Sequence, residues 1–170
     1  MVKRGPVTAI YPGTFDPLTM GHVSLVQRGL DVFDKIVVAV AVNTPKKPLF
    51  TIEERVVMAA QVFANNPQVE VEAFEGLLVD YAVRREARAI LRGLRAVSDF
   101  EFEFQLALMN RKLKREIQTV FLMTDYKWLY ISSTIIKEAA SLGGNIKGLV
   151  PEIVVPHLYA KYGHKPESKD

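Results

Sequence analysis

The sequence contains no cysteine and no long apolar run, and its charges nearly balance. Without cysteine, disulfides, zinc–thiolate centres and thiol catalysis are excluded, and an intracellular location is permitted. No stretch approaches the roughly 20 apolar residues of a membrane helix, and no leader is expected, so the sequence predicts a soluble cytoplasmic protein. The 22 Lys and Arg residues against 19 Asp and Glu give +3, which favours small acidic ligands over a nucleic-acid surface.

Two phosphate-binding motifs are also missing. There is no Gly-x-x-x-x-Gly-Lys-Ser/Thr sequence, which excludes a P-loop enzyme. No Gly-x-Gly-x-x-Gly follows the first predicted strand, which disfavours a dinucleotide oxidoreductase. With 170 residues, about half of them apolar, we expect one domain over residues 1–170 with a loose tail at 163–170.

Strand and helix patterns alternate along the chain. Apolar or alternating runs predict strands at 7–10, 35–42, 69–73, 89–91 and 118–123. Helical spacing and capping residues predict helices at 23–33, from 51, at 76–87, at 98–114, from 132, and from 150, where Pro156 either kinks the chain or marks a fresh start. The alternation predicts a doubly wound α/β fold with a parallel five-stranded sheet.

The stretch 11–22, Tyr-Pro-Gly-Thr-Phe-Asp-Pro-Leu-Thr-Met-Gly-His, connects the first predicted strand to a helix. A helix start offers unpaired N–H groups and the positive end of the macrodipole, which suits a phosphate. Gly13 and Gly21 permit close backbone approach or positive φ. Thr14 and His22 add hydrogen-bond donors, so the stretch is predicted to bind an anion.

Further polar side chains follow the later strands. Lys46 follows the second strand, Arg92 and Arg95 follow the fourth, and residues 127–134 follow the fifth. Ligands of doubly wound sheets bind beyond the carboxyl ends of the strands, so we expect these groups along one edge. Cations and hydroxyl groups there favour bound phosphates and developing negative charge. The pattern indicates phosphoryl-type transfer, in which the enzyme mainly orients the reactants and stabilises charge.

Four blocks of sequence narrow this hypothesis to a family. Residues 11–22 resemble the T/H-x-G-H loop of the nucleotidyltransferase superfamily. Together with residues 92–96, 99–103 and 131–138, they resemble the bacterial phosphopantetheine adenylyltransferases over about residues 8–162. The resemblance implies a Rossmann-like fold and reversible adenylyl transfer from ATP to 4′-phosphopantetheine, giving dephospho-coenzyme A and pyrophosphate without a covalent enzyme intermediate. It also implies phosphate-bound Mg²⁺, a homohexamer, and coenzyme A as a feedback ligand.

The resemblance also assigns roles to single positions. His22 matches the group that stabilises the transition state at the α-phosphate, with Thr14, Lys46 and Arg95 as further catalytic positions. The positions that match acceptor binding are Thr14, Lys46, Leu78 and Arg92. The positions that match ATP binding are Thr14, Phe15, His22, Gly93, Leu94, Arg95, Glu103, Trp128, Leu129, Tyr130, Ile131, Ser132, Ser133 and Thr134. No protein ligand for the metal is implied.

The sequence leaves several alternatives open about chemistry. A related transferase with another acceptor, such as nicotinamide mononucleotide or glycerol phosphate, would have the same fold. A nucleotide sensor without catalysis would be expected to lack His22 or the phosphate-binding groups around it, and this sequence has both. Lys47 is adjacent to Lys46 and equally suited to a phosphate. Asp16 and Asp99 are either metal ligands or residues that shape a loop and a helix start.

Three positions or segments depart from the family pattern. Residues 124–127 lack the proline that many members have there, and Thr134 replaces a common serine but keeps the hydroxyl. Phe102 replaces a frequent tyrosine. The changed loop leaves the adenine-side contacts around Trp128 open, and Trp128 itself is either a core residue or a wall of the nucleotide site.

Overall fold

The computed structural model describes residues 5–44, 47–95 and 97–164, without the side chains of Val97 and Ser98. Its centre is a parallel sheet of five strands, in the order β3-β2-β1-β4-β5. The strands are β1 (Thr8–Gly13), β2 (Lys35–Ala41), β3 (Val69–Phe74), β4 (Ala89–Leu94) and β5 (Gln118–Met123). The predicted doubly wound fold is therefore confirmed, and strand order reverses between β1 and β4.

Helices connect the strands and cover the sheet. They are α1 (Met20–Gly29), α2 (Ile52–Val62), α3 (Leu78–Arg84), α4 (Val97–Leu113), α5 (Ser133–Ser141) and α6 (Val154–Lys161), with a 3-10 turn at Tyr126–Trp128. The predicted capping box of α2 is present, since Thr51 and Glu54 exchange side-chain and backbone hydrogen bonds. The box predicted at the start of α4 involves Ser98 and lies outside the described side chains. None of the described helices is long and apolar enough to cross a membrane.

Two strands are longer than predicted, which moves site residues from loops into the sheet. β1 continues through Tyr11 and Pro12 to Gly13, because β2 supplies parallel partners along this whole length. β4 continues to Leu94 beside β5, so Arg92 lies in a strand and not after it. The loop that carries the anion-binding motif is correspondingly shorter than residues 11–22.

Two helices also differ from the prediction. Gly76 has left-handed backbone at φ 86° and Glu86 at φ 52°, so α3 occupies less than residues 76–87. The last helix starts at Val154 and not at residue 150. Pro156 lies in its first turn, where a missing N–H breaks no helical hydrogen bond, and this is the fresh start that was one of two expected outcomes.

A buried carboxylate fastens the loop between β1 and α1 to the rest of the chain. Asp16 is 4% exposed and accepts hydrogen bonds from the N–H groups of Leu49 and Phe50, both at 2.9 Å. The Nζ of Lys137 on α5 lies 2.6 Å from the same carboxylate. These contacts support the loop-shaping interpretation of Asp16, because the carboxylate joins three separate segments.

We predict that Lys137→Met lowers the free energy of unfolding by about 2 kcal/mol, because it leaves the buried Asp16 carboxylate without its cation. Urea unfolding measures the change. The control is Lys112→Met on an exposed position of α4, for which a change within about 0.5 kcal/mol is expected. Equal stability of the two variants would show that the ion pair contributes nothing.

Candidate active site

The two central strands separate where the strand order reverses. In the described ladders, β1 pairs with β4 only at Ala9 and Ile10, whereas it pairs with β2 as far as Gly13. Pro12 lacks the N–H that would extend a ladder. The carboxyl halves of β1 and β4 therefore border a cleft, at the place where doubly wound sheets bind ligands.

A cavity of about 610 Å³ occupies this cleft. It gathers side chains from β1, the following loop, α1, β4, α4 and the segment after β5, as expected for groups at strand ends. The sequence-predicted positions that line it are Phe15, His22, Arg92, Gly93, Arg95, Glu103, Trp128, Ile131, Ser132, Ser133 and Thr134.

A smaller number of the predicted positions lie elsewhere. Thr14 is exposed, between the lining residues Gly13 and Phe15. Leu94, Leu129 and Tyr130 are not among the lining residues, and the last two are 40% and 66% exposed. Lys46 lies outside the described residues, whereas the neighbouring Lys47 is exposed.

The orientation of His22 is set by the first turn of its own helix. Thr19 is the N-cap of α1, and its backbone N–H donates to Nδ1 of His22 at 3.0 Å. In return, the Oγ1 of Thr19 accepts from the His22 N–H at 3.4 Å. Because a backbone N–H can only donate, Nδ1 carries a lone pair, and the neutral ring has its proton on Nε2. The helix start thus leaves His22 with one outward donor, Nε2–H.

Two aromatic rings enclose the imidazole. Phe15 packs edge-on at 5.1 Å between ring centroids, and Tyr11 lies at 6.4 Å. Burial and, to a smaller extent, the positive charge of Arg95 together lower the pKa of His22 to about 4. Burial also raises the pKa of Tyr11 above its ordinary value. Both side chains are therefore uncharged at neutral pH.

The two glycines of the stretch 11–22 lack the positive φ that was one of the two expectations for them. Neither Gly13 nor Gly21 has positive φ; Phe15 instead has φ 49°, in the left-handed region. A Cβ on Gly13 would lie 2.8 Å from the Phe15 ring, so the glycine makes room for that ring. Close packing, and not a left-handed turn, is what this position requires.

Two arginines carry the positive charge of the cleft. Arg92 donates from Nε to Glu103 at 2.6 Å, makes a second bond to the same carboxylate, and reaches the Pro12 carbonyl at 3.3 Å. Arg95 donates to the Ile131 carbonyl at 3.2 Å and lies 3.5 Å from Asp99. Asp99 therefore has an ion-pair role at the start of α4, consistent with the helix-shaping alternative.

A second, more apolar groove adjoins the cavity between α3 and α4. Arg92 and Glu103 line both, so this ion pair stands where the two spaces meet. Leu78, which the family resemblance matches to acceptor binding, lines this groove together with Arg92. The remaining lining residues are Leu77, Leu106, Ala107, Met109, Asn110, Leu113 and Thr119.

Sequence reasoning missed several of these residues. The spacing from Thr19 to His22 is that of a capping box, with histidine in place of the usual Glu or Gln, and this pattern was available in the sequence. The groove residues of α4 appeared only as apolar side chains on a helix. Nothing in the sequence distinguished Leu106 and Met109 from ordinary core positions.

We predict that acid destabilises the protein through His22. Its pKa is about 4 in the folded chain against 6.5 unfolded. Its contribution to stability is therefore complete above pH 6.5 and is lost progressively as pH falls from 6.5 through 4, by up to about 3 kcal/mol. The measurement is urea unfolding of the wild type and His22→Gln at pH 7.5 and 4.5. The stability difference between them should shift in favour of the variant at pH 4.5, and a pH-independent difference would contradict the shifted pKa.

Comparison with known proteins identifies the family. Residues 10–139 match the cytidylyltransferase-like family model. A phosphopantetheine adenylyltransferase of Nitratidesulfovibrio vulgaris (strain DP4) is 72% identical over 162 residues, which cover 95% of this chain and 87% of that protein. The protein of that name from Oleidesulfovibrio alaskensis is 73% identical over 156 residues, 92% of each chain. One from Solidesulfovibrio magneticus is 64% identical over 155 residues, 91% of this chain and 90% of that one. The chain belongs to the phosphopantetheine adenylyltransferase family.

Proposed function

We propose that this chain transfers an adenylyl group from ATP to 4′-phosphopantetheine and releases pyrophosphate, the reaction that its family membership implies. The observation that carries the proposal is the junction of two spaces at Arg92 and Glu103. A polar cavity beside His22 suits a nucleoside triphosphate, and the adjoining apolar groove suits a flexible, uncharged arm. A phosphate at the end of that arm would lie next to the cavity.

The transfer is a direct displacement at the α-phosphorus. An oxygen of the acceptor phosphate attacks that atom, the bond from the α-phosphorus to the bridging oxygen breaks, and pyrophosphate leaves with its electron pair. The attacking oxygen is already unprotonated at neutral pH, so the step needs no general base. The protein's task is to align the two phosphates and to stabilise the charge that develops between them.

His22 suits charge stabilisation better than proton transfer. Its pKa of about 4 makes it a poor base at neutral pH, and its Nδ1 is occupied by the Thr19 N–H. The remaining Nε2–H is a fixed donor for a non-bridging oxygen of the α-phosphate. Bound phosphates would raise the pKa of the ring and strengthen this donor.

The arginines and hydroxyl groups divide between the two substrates. Arg92, at the mouth of the groove, is proposed to hold the acceptor phosphate, which must share the guanidinium with Glu103. Arg95 and residues 132–134 line the cavity near the start of α5, and we propose that they bind the nucleotide. Leu78 packs along the pantetheine arm, and Thr14 guides the attacking phosphate.

The metal is proposed to enter with the nucleotide. Among the described residues, no group of three or more His, Asp or Glu side chains is arranged to hold a metal ion. We therefore propose that Mg²⁺ is held mainly by the triphosphate, whose charge it neutralises. The homohexamer and feedback by coenzyme A stay predictions from the family resemblance, and the cytoplasmic location stays a prediction from the sequence.

The activity is tested by measuring pyrophosphate release from ATP and Mg²⁺ with three acceptors. We expect 4′-phosphopantetheine to stimulate release, and nicotinamide mononucleotide and glycerol 3-phosphate to leave it at background, because neither has an arm that fills the apolar groove. Release that is independent of the acceptor, or that prefers another acceptor, would contradict the proposal.

A variant in the groove, compared with a matched surface control, tests in the same assay whether the groove binds the acceptor arm. Leu78→Asp places a charge against the arm and should raise the KM for 4′-phosphopantetheine at least about tenfold, with the KM for ATP within about twofold. Val32→Asp, at a position that is 57% exposed, is the control and should change neither value. Equal effects on both substrates would place the arm outside the groove.

A further inference from the structure

Arg55 is a buried arginine whose hydrogen bonds, within the described part of the chain, all go to backbone carbonyls. It lies on the first turns of α2 and is 2% exposed. Its Nε donates to the carbonyls of Phe50 at 3.2 Å and Thr51 at 3.3 Å. Its Nη1 donates to the carbonyls of Thr14 at 2.8 Å and Ala41 at 3.0 Å. One guanidinium thus joins the start of α2, the end of β2 and the loop after β1.

Stability alone does not explain why a charged guanidinium is buried among carbonyl groups. A buried charge loses its hydration, and apolar residues of similar volume often replace buried ionic groups without loss of stability. What the guanidinium supplies is geometry, because a planar fork fixes the direction of each carbonyl that it binds. The shortest of its four contacts is the one to Thr14.

The contact with the Thr14 carbonyl determines the direction of a neighbouring donor. The only cis peptide among the described residues is that between Asp16 and Pro17, so the peptide joining Thr14 to Phe15 is trans. In a planar trans peptide, the C=O and the N–H point in opposite directions. When Arg55 holds the Thr14 carbonyl towards α2, the Phe15 N–H is turned away from α2.

Phe15 lies at the wall of the cavity, with its ring against His22 at 5.1 Å between centroids. Its backbone is left-handed, with φ 49°. Successive backbone N–H groups beside a left-handed residue form concavities that bind anions. A fixed N–H at this position, in the wall of the cavity, therefore suits a phosphate oxygen of the nucleotide.

We propose that Arg55 is a positioning residue for nucleotide binding, which acts by holding the Thr14 carbonyl so that the Phe15 N–H faces the phosphates of ATP. This inference rests on the proposed function, since it takes ATP as the ligand of the cavity. Arg55 itself touches neither substrate. Its effect on nucleotide binding depends on the orientation of one peptide group, the one that joins Thr14 to Phe15.

The direct test is the amide proton of Phe15 in a ¹⁵N-labelled sample, followed by NMR as α,β-methylene-ATP is added. In the wild type, this proton should move downfield, because it enters a hydrogen bond to a charged oxygen. In Arg55→Lys, which keeps the charge but lacks the planar fork, the movement should fall to that of remote amides such as Val32. The dissociation constant of the analogue should rise roughly tenfold.

A control on the same helix separates positioning from loss of stability. Met58→Ala removes a side chain that is 3% exposed and makes no hydrogen bond to the loop. It should lower the melting temperature as Arg55→Lys does, yet leave the dissociation constant and the Phe15 shift unchanged. If Met58→Ala weakens the analogue as much as Arg55→Lys, the effect is one of stability and the proposal is wrong.

Two further outcomes would also overturn the proposal. One is a Phe15 amide that does not shift in the wild type, a result that requires no variant to fold. The other is an Arg55→Lys protein that binds the analogue with unchanged affinity. Failure of the proposed function is distinguishable, because it would appear as absent acceptor-dependent pyrophosphate release, whereas the Phe15 shift reports nucleotide binding alone.

Discussion

The short loop between β1 and α1 has its backbone fixed from several sides, and the candidate site depends on this constraint. Arg55 holds the Thr14 carbonyl, the Asp16 carboxylate is bound by two N–H groups and by Lys137, and the Oγ of Ser133 donates to the Pro17 carbonyl at 2.8 Å. The contacts come from α2, from the segment before it and from α5. Elements far apart in sequence thus place one loop at the edge of the sheet.

This fixed loop determines the tautomer and the orientation of the His22 imidazole. The loop ends at Thr19, whose N–H occupies Nδ1 of the imidazole, and the rings of Tyr11 and Phe15 pack against it. The result is a neutral ring with a single donor directed outward. A donor that is already oriented needs no reorganisation when charge develops at phosphorus, which is how preorganised sites lower a barrier.

The sequence predicted the fold well because its strands are strongly apolar and its helices carry recognisable caps, as at Thr51 and Glu54. It also predicted which loops would meet, since strand-end positions of a parallel sheet share one edge. It failed where distant partners decide the structure. The length of β4 through Arg92 depends on pairing with β5, and the buried contacts of Arg55 depend on three segments that no local pattern connects. The roles of single residues rest on family resemblance and on the proposals made from geometry.

The most direct test of this account is the turnover of His22→Ala, measured together with its dissociation constant for ATP. A donor that acts on the transition state predicts a fall in kcat of about 10²- to 10³-fold, with ATP affinity changed by less than about threefold. A loss of ATP affinity equal to the loss in turnover would show that His22 binds the ground state, and would contradict the account.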